Sequence, residues 1–150
     1  MRDAYKEFIH GSLAIIPQGV EEIKEFTFWK CPDLTSIVIP DSVKKIGESA
    51  LNGSSELTSI EIPDSISEFG KFAFWGCTGL TSIEISHEET RISQGAFEGC
   101  TGLFSIIIPD SVSEICDYAF KRCSSLSNVI IPQKVTRIGR CAFKDVTSHL

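Results

Sequence analysis

Leucine stands at residues 34, 57, 80, 103 and 126, a spacing of 23 residues each time. Ile-Pro keeps the same step at Ile16-Pro17, Ile39-Pro40, Ile62-Pro63, Ile108-Pro109 and Ile131-Pro132. With the leucine as position 1, position 4 is Ile37, Ile60, Ile83, Ile106 and Val129, and position 6 is Ile39, Ile62, Ile85, Ile108 and Ile131. Position 13 is Ile or Phe throughout, and position 18 is mostly Phe. No insertion disturbs the register. A strict period of this length means that every unit adopts one conformation and buries its apolar residues against those of the next, which is a solenoid.

The segment "LTSIEI" places apolar residues at positions 1, 4 and 6 with polar residues between, the pattern of a short parallel strand with one face inward. Proline at position 7 ends that strand, because it has no N–H for the ladder. "VxxIG" reads as a second short extended segment, and "xxAFxxC" as one turn of helix or 3-10 structure. The expected fold is therefore an α/β solenoid of about six 23-residue coils, starting at residues 11, 34, 57, 80, 103 and 126, with short parallel strands and short helical or 3-10 turns. Residues 11–150 form the solenoid. Residues 1–10 are expected to cap it, with Tyr5, Phe8 and Ile9 spaced as one apolar helical face. "CAFKDVTSHL" stops where a seventh strand would begin, so the last coil is expected to expose apolar surface and a strand edge, with end-to-end self-association as a consequence.

Composition narrows the function classes. The formal net charge is −6, from 20 acidic against 14 basic residues, and no basic stripe is present, which argues against nucleic acid as a partner. The longest strongly apolar runs, "LAII" and "IIIP", fall far short of the roughly 18 residues that a membrane helix needs, so membrane insertion is not expected. The first residues lack the basic and long apolar regions of a secretory signal.

The repeat "LTSIEIPDSISEFGKFAFWGCTG" closely resembles that of the BspA-like, treponemal-type leucine-rich repeat family, over about residues 11 to 146. The resemblance implies a leucine-rich-repeat solenoid, a surface-exposed or secreted setting, and adhesion or protein binding without catalytic residues.

Cys31, Cys77, Cys100 and Cys123 share position 21, where Ser54 and Val146 fill the slot in the other coils, so a buried ladder of reduced thiols is expected. Cys116 and Cys141 lie off that ladder, and a bridge between them is the less favoured reading. With no C-x-x-C pair and His10, His87 and His149 scattered, neither a metal site, a cofactor nor a catalytic group is expected. Position 16 alternates Phe26, Phe72 and Tyr118 with Ser49, Gly95 and Cys141, which suggests large rings packed over small neighbours; Trp29 and Trp75 would suit an interface if half exposed.

The strand face is the candidate site. Positions 3 and 5 point outward, and position 5 reads Ile15, Val38, Glu61, Glu84, Ile107, Ile130, so apolar residues flank an acidic pair. Phe104 adds a ring at position 2. Val38, Glu61, Glu84, Phe104, Ile107 and Ile130 are the expected contacts for a protein or glycan partner. The competing reading is a structural spacer or array segment with no ligand of its own. "ISHEETRIS", residues 85–93, departs from the consensus without a change of length. Glu89 replaces an apolar residue at position 10, and since an ionised carboxylate is costly inside, it is expected to turn outward or to let Thr90 partly fill the gap. His87, Glu88 and Glu89 would then extend the acidic patch.

Overall fold

The structure is a computed structural model and describes residues 8–146. Each 23-residue coil places its position 3–5 segment on one face and its position 12–13 segment on a second. The first face holds β2 (Leu13–Ile15), β4 (Ser36–Val38), β6 (Ser59–Ile60), β8 (Ser82–Glu84) and β10 (Ser105–Ile107). The second holds β3 (Glu22–Ile23), β5 (Lys45–Ile46), β7 (Glu68–Phe69), β9 (Arg91–Ile92), β11 (Glu114–Ile115) and β12 (Arg137–Ile138). Neighbouring strands on each face pair in parallel with a shift of one repeat, as in Ile37↔Ile60 and Ile46↔Phe69. In the sixth coil the first face is reduced to a single bridge, Ser105↔Asn128.

The apolar positions all point into one core, where Leu34, Leu57, Leu80, Leu103 and Leu126 are stacked in register and buried. Phe74, Phe97, Phe120 and Phe143 form a column of nearly parallel rings with centroids 5.3, 5.5 and 5.3 Å apart. Each buried aromatic or leucine side chain removes enough surface from water to contribute about 1.5–3 kcal/mol, and the repeat multiplies this along the stack.

The third side is built from turns, where a helical or 3-10 turn was expected; among the described residues only Phe8 is helical, in 3-10 form. The cause is backbone sign. Position 16 has positive φ in every coil (Phe26, Ser49, Phe72, Gly95, Tyr118, Cys141), and so does position 20 (Lys30, Gly53, Gly76, Gly99, Arg122, Asp145). Left-handed residues four apart cannot lie in one right-handed helix. Amides along this side alternate partners instead: Trp29 N–H donates to Phe26 O in its own coil, whereas Phe28 N–H donates to Ala50 O in the next.

At the N-terminal end, Ile9 lies in a strand and not on a helical face. β1 (Ile9–His10) pairs antiparallel with β2 through Ile9↔Ala14 and His10↔Leu13, closed by a tight turn at Gly11 with φ +68°. This hairpin covers the first edge of the sheet. Tyr5 lies outside the described residues, as do residues 147–150.

One junction differs from the rest. Both faces lose their ladder between coils three and four: the first face divides into β1-β2-β4-β6 and β8-β10, the second into β3-β5-β7 and β9-β11-β12. The turn side stays tied there, through Phe72 N–H to Gln94 O and Phe74 N–H to Ala96 O.

Candidate interaction face

The period-2 alternation of the first-face strands turns positions 3 and 5 outward. Val38 is 51% exposed, Ile107 61%, Ile130 85% and Phe104 56%, and Glu61 and Glu84 are exposed between them. Register places Ile15 beside Val38 and Glu84 beside Ile107, so the position 5 side chains form one row across the coils. Where the ladder between β6 and β8 is missing, a groove of about 490 Å³ opens, lined by Glu61, Asp64, Glu84, His87, Ser59 and Ser82. The groove thus lies under the acidic pair, with Val38 on one side and Ile107, Ile130 and Phe104 on the other. Asp64 joins the acidic residues from the turn after β6, a contribution the sequence reading missed.

The acidic trio is divided. His87 lines the groove, Glu88 is exposed nearby, and Glu89 is elsewhere. Contrary to expectation, Glu89 is buried, 1% exposed, in the column otherwise filled by Val43, Ile66 and Val112, while Thr90 faces solvent. Burial, with the Glu68 carboxylate adding to it, raises its pKa from the ordinary 4.5 to about 8 against the opposing pull of Arg91 and a hydrogen bond to the Phe69 backbone. The carboxyl is therefore mainly protonated at neutral pH, which removes the cost that argued for turning it outward. Its Oε2 has no hydrogen-bond partner.

The second face carries a pattern absent from the sequence reading. Position 12 runs Glu22, Lys45, Glu68, Arg91, Glu114, Arg137, alternating in sign along the stack. Lys45 Nζ lies 3.3 Å from Glu68 Oε2, and Arg137 Nε lies 4.0 Å from Glu114 Oε2. Exposed pairs of this kind add little stability each. Alternation places opposite charges beside each other at every joint of this face and avoids the like-charge neighbours that destabilise paired strands.

The position 21 thiols have a bonding role. Cys77, Cys100 and Cys123 donate to the position 18 carbonyl of the preceding coil, at 3.1, 3.0 and 3.0 Å, and Ser54 donates to Phe28 O in the same way at 2.6 Å. Burial pushes the Cys77 and Cys123 thiols up to about 12 and Cys100 well above its ordinary value, so these sulfurs stay protonated and are not nucleophiles. None of the six cysteines is in a disulfide, Cys116 and Cys141 included. Arg91 Nη2 lies 3.2 Å from Cys116 Sγ. Among the described residues no three of His, Cys, Asp and Glu are grouped to hold a metal, and no helix is long and apolar enough to cross a membrane. The expected packing of position 16 is visible at Gly95, where an added Cβ would fall 2.4 Å from the Phe72 ring. Trp29 is half-buried under Lys30 Nζ, 4.9 Å from its ring centre, and Trp75 is 37% exposed.

Stacked parallel rungs, an apolar column and outward-facing strand positions define a leucine-rich-repeat solenoid. The BspA-type leucine-rich repeat region matches residues 15–149 in six copies, and the chain belongs to that family. A leucine-rich repeat protein of Bacteroides ovatus superposes with a TM-score of 0.73 at 30% identity, over 91% of this chain and 42% of its own length. The Treponema pallidum leucine-rich repeat protein gives 0.67 at 26% identity, over 86% and 73%. One from Eubacterium ventriosum gives 0.78 at 24% identity, over 94% and 44%, and shows the fold alone. The chain thus spans less than half the length of two of these structures. No curated protein matches it. Repeat proteins of this kind generally serve as protein-interaction modules, and their fold is typically non-catalytic.

Proposed function

We propose that this protein is a non-catalytic interaction or adhesion module that presents its first face to a protein or glycan partner at a cell surface. The carrying observation is the row Val38, Glu61, Glu84, Ile107 and Ile130, with Phe104, in which exposed apolar residues flank an acidic groove. Apolar area of this kind supplies affinity, and the acidic centre selects a partner with basic groups between apolar ones. Stacking fixes the backbone beforehand, which lowers the ordering cost of binding. A cell-surface setting rests on the family alone. The test is a binding screen against extracellular matrix proteins and glycans with the wild type, Glu84→Lys and Ile107→Asp. Loss of the captured ligand in both variants is expected; binding unchanged in both would remove the strand face from consideration.

The second reading is a structural array segment that associates end to end. The parallel pairing by which coils already stack within the chain, β8 with β10 and β11 with β12, favours it, since a further coil adds by the same register. Sedimentation at several concentrations separates the two, since the interaction module needs no self-association.

A further inference from the structure

The junction between coils three and four has lost specific bonds. On the second face, Lys44, Ser67, Ser113 and Thr136 each donate to the preceding coil, as in Ser67 N–H to Lys44 O and Ser113 N–H to Thr90 O. Thr90, in the same position, makes no such bond to coil three. Gly70 N–H donates to Ile46 O and Cys116 N–H to Ile92 O, but Ser93 N–H does not reach Phe69 O. On the first face, Thr58 N–H donates to Thr35 O and Phe104 N–H to Thr81 O, with no equivalent from Thr81.

Two side chains stand in for the missing backbone. In a parallel ladder, Phe69 would donate to the carbonyl of Arg91 and accept from the amide of Ser93. Instead the Glu89 carboxyl sits close enough to the Phe69 backbone for that group to lower its pKa, and Ser93 Oγ donates to Phe69 O at 2.5 Å. Ser93 also adds a side chain where Gly47, Gly70 and Gly139 leave room for the adjacent coil's backbone. Cys116 fills the same position and keeps its ladder bond, so the substitution of glycine is not the deciding change and Glu89 is. Beside Glu89 a cleft of about 360 Å³ reaches the second face, opposite the 490 Å³ groove on the first.

We propose that this junction is a hinge built into the solenoid, held closed by a neutral Glu89 and splayed about its turn side when that carboxyl ionises. A closed junction leaves Oε2 without a donor, so the pull of Arg91 and the Phe69 backbone on a charge there falls short of its burial cost. The groups around it act in both directions. Coil three contributes Glu68, already paired with Lys45, and Lys71; Arg91 comes from its own coil, along with exposed His87 and Glu88. Coil five contributes the Ser111 hydroxyl, bonded to Glu89 O, and Glu114, paired with Arg91 across the ladder. Lys71 and Arg91 line the cleft and would receive the carboxylate once it moves outward. Opening would also widen the groove between β6 and β8, so pH would tune the first face, although the hinge stands whether or not that face binds anything.

Hydrogen exchange of the whole chain across pH, corrected for intrinsic rates, tests this directly, with wild type, Glu89→Gln and Glu89→Val compared. Because the carboxyl titrates at about 8 when closed and near the ordinary 4.5 when open, junction opening should rise up to roughly tenfold per pH unit between those values and level off above. The expected result is that protection in segments 57–69 and 80–93 falls over this range in the wild type, while segments 34–46 and 103–115 hold theirs. Glu89→Gln keeps the shape without the charge and should show no such fall, and Glu89→Val should be the best protected. His87→Gln serves as the control for the neighbouring imidazole. A wild type whose junction does not respond to pH, an equal fall in Glu89→Gln, or a fall spread evenly over all coils would overturn the proposal.

Discussion

Replacing Glu89 by valine should stabilise the protein, and by an amount that depends on pH. In the wild type the folded state holds a proton on Glu89 up to about pH 8, whereas the unfolded chain releases it near the ordinary 4.5. Between those values the native state binds more protons than the unfolded state, so stability falls as pH rises. The slope for one such group is about 1.4 kcal/mol per pH unit. From pH 5 to pH 7 the advantage of Glu89→Val over wild type should therefore widen by roughly 2.5 kcal/mol. A smaller gain is expected even at pH 5, because valine restores the methyl groups that Val43, Ile66 and Val112 provide in this column, worth about 1 kcal/mol. Urea unfolding monitored through Trp29 and Trp75 at several pH values measures the difference, and taking it against the variant cancels every other titrating group. Glu89→Gln should follow the valine variant in slope but not in absolute stability. A difference between wild type and valine that stays flat with pH would show that the carboxyl is not held protonated in the fold, and the account of the buried acid would then be wrong.

Two further outcomes follow from packing. Gly95→Leu places a side chain where the Phe72 ring already lies, at a backbone φ of +61°, and should cost about 1–3 kcal/mol in thermal or urea unfolding, with partial recovery in a Phe72→Ala background. Cys100→Ser should be nearly neutral because Ser54 makes the same bond to the preceding coil, whereas Cys100→Ala should cost about 1–2 kcal/mol; thiol-reagent titration should find Cys77, Cys100 and Cys123 unreactive until the chain unfolds.

Much of this fold is legible in the sequence because a strict period reports on neighbours that a single segment cannot. Leu57 or Ile60 alone suggests only a short apolar run, but their recurrence every 23 residues shows which side chains stack on which. The exposed row on the first face follows from the same logic. Only the detail of the turn side was read differently: Phe26, Lys30 and Tyr118 give no sign of a left-handed backbone, and the glycines at 53, 76, 95 and 99, which do, were not weighed. Position 12 was legible and was missed: each charge is unremarkable within its own coil, and the alternation exists only between coils. Glu89 failed differently. Treating it as ionised made burial look prohibitive, when protonation was the less costly solution. Nor could the broken ladder be foreseen, since coil four keeps its length and both Ile85 and Ile92 keep their inward places.

In a repeat protein the stability of the stack is approximately a sum over coils and the interfaces between them, so one weak interface weakens cooperativity more than one weak coil. Here the interior apolar contacts cross the junction without a gap: Phe74 and Phe97 stack at 5.3 Å, and Phe69 reaches both edge-on, at 5.5 and 6.4 Å. What is missing is directional, the backbone hydrogen bonds on the two strand faces. Hydrophobic packing tolerates small rotations because it depends on area, whereas ladder bonds do not, because they depend on alignment. The phenylalanine column and the turn-side bonds therefore keep coils three and four together, and the proposed hinge pivots about them. Because the acidic groove lies across this same joint, the centre of the first face has the most adaptable geometry, and the apolar residues on either side ride on two stiffer blocks.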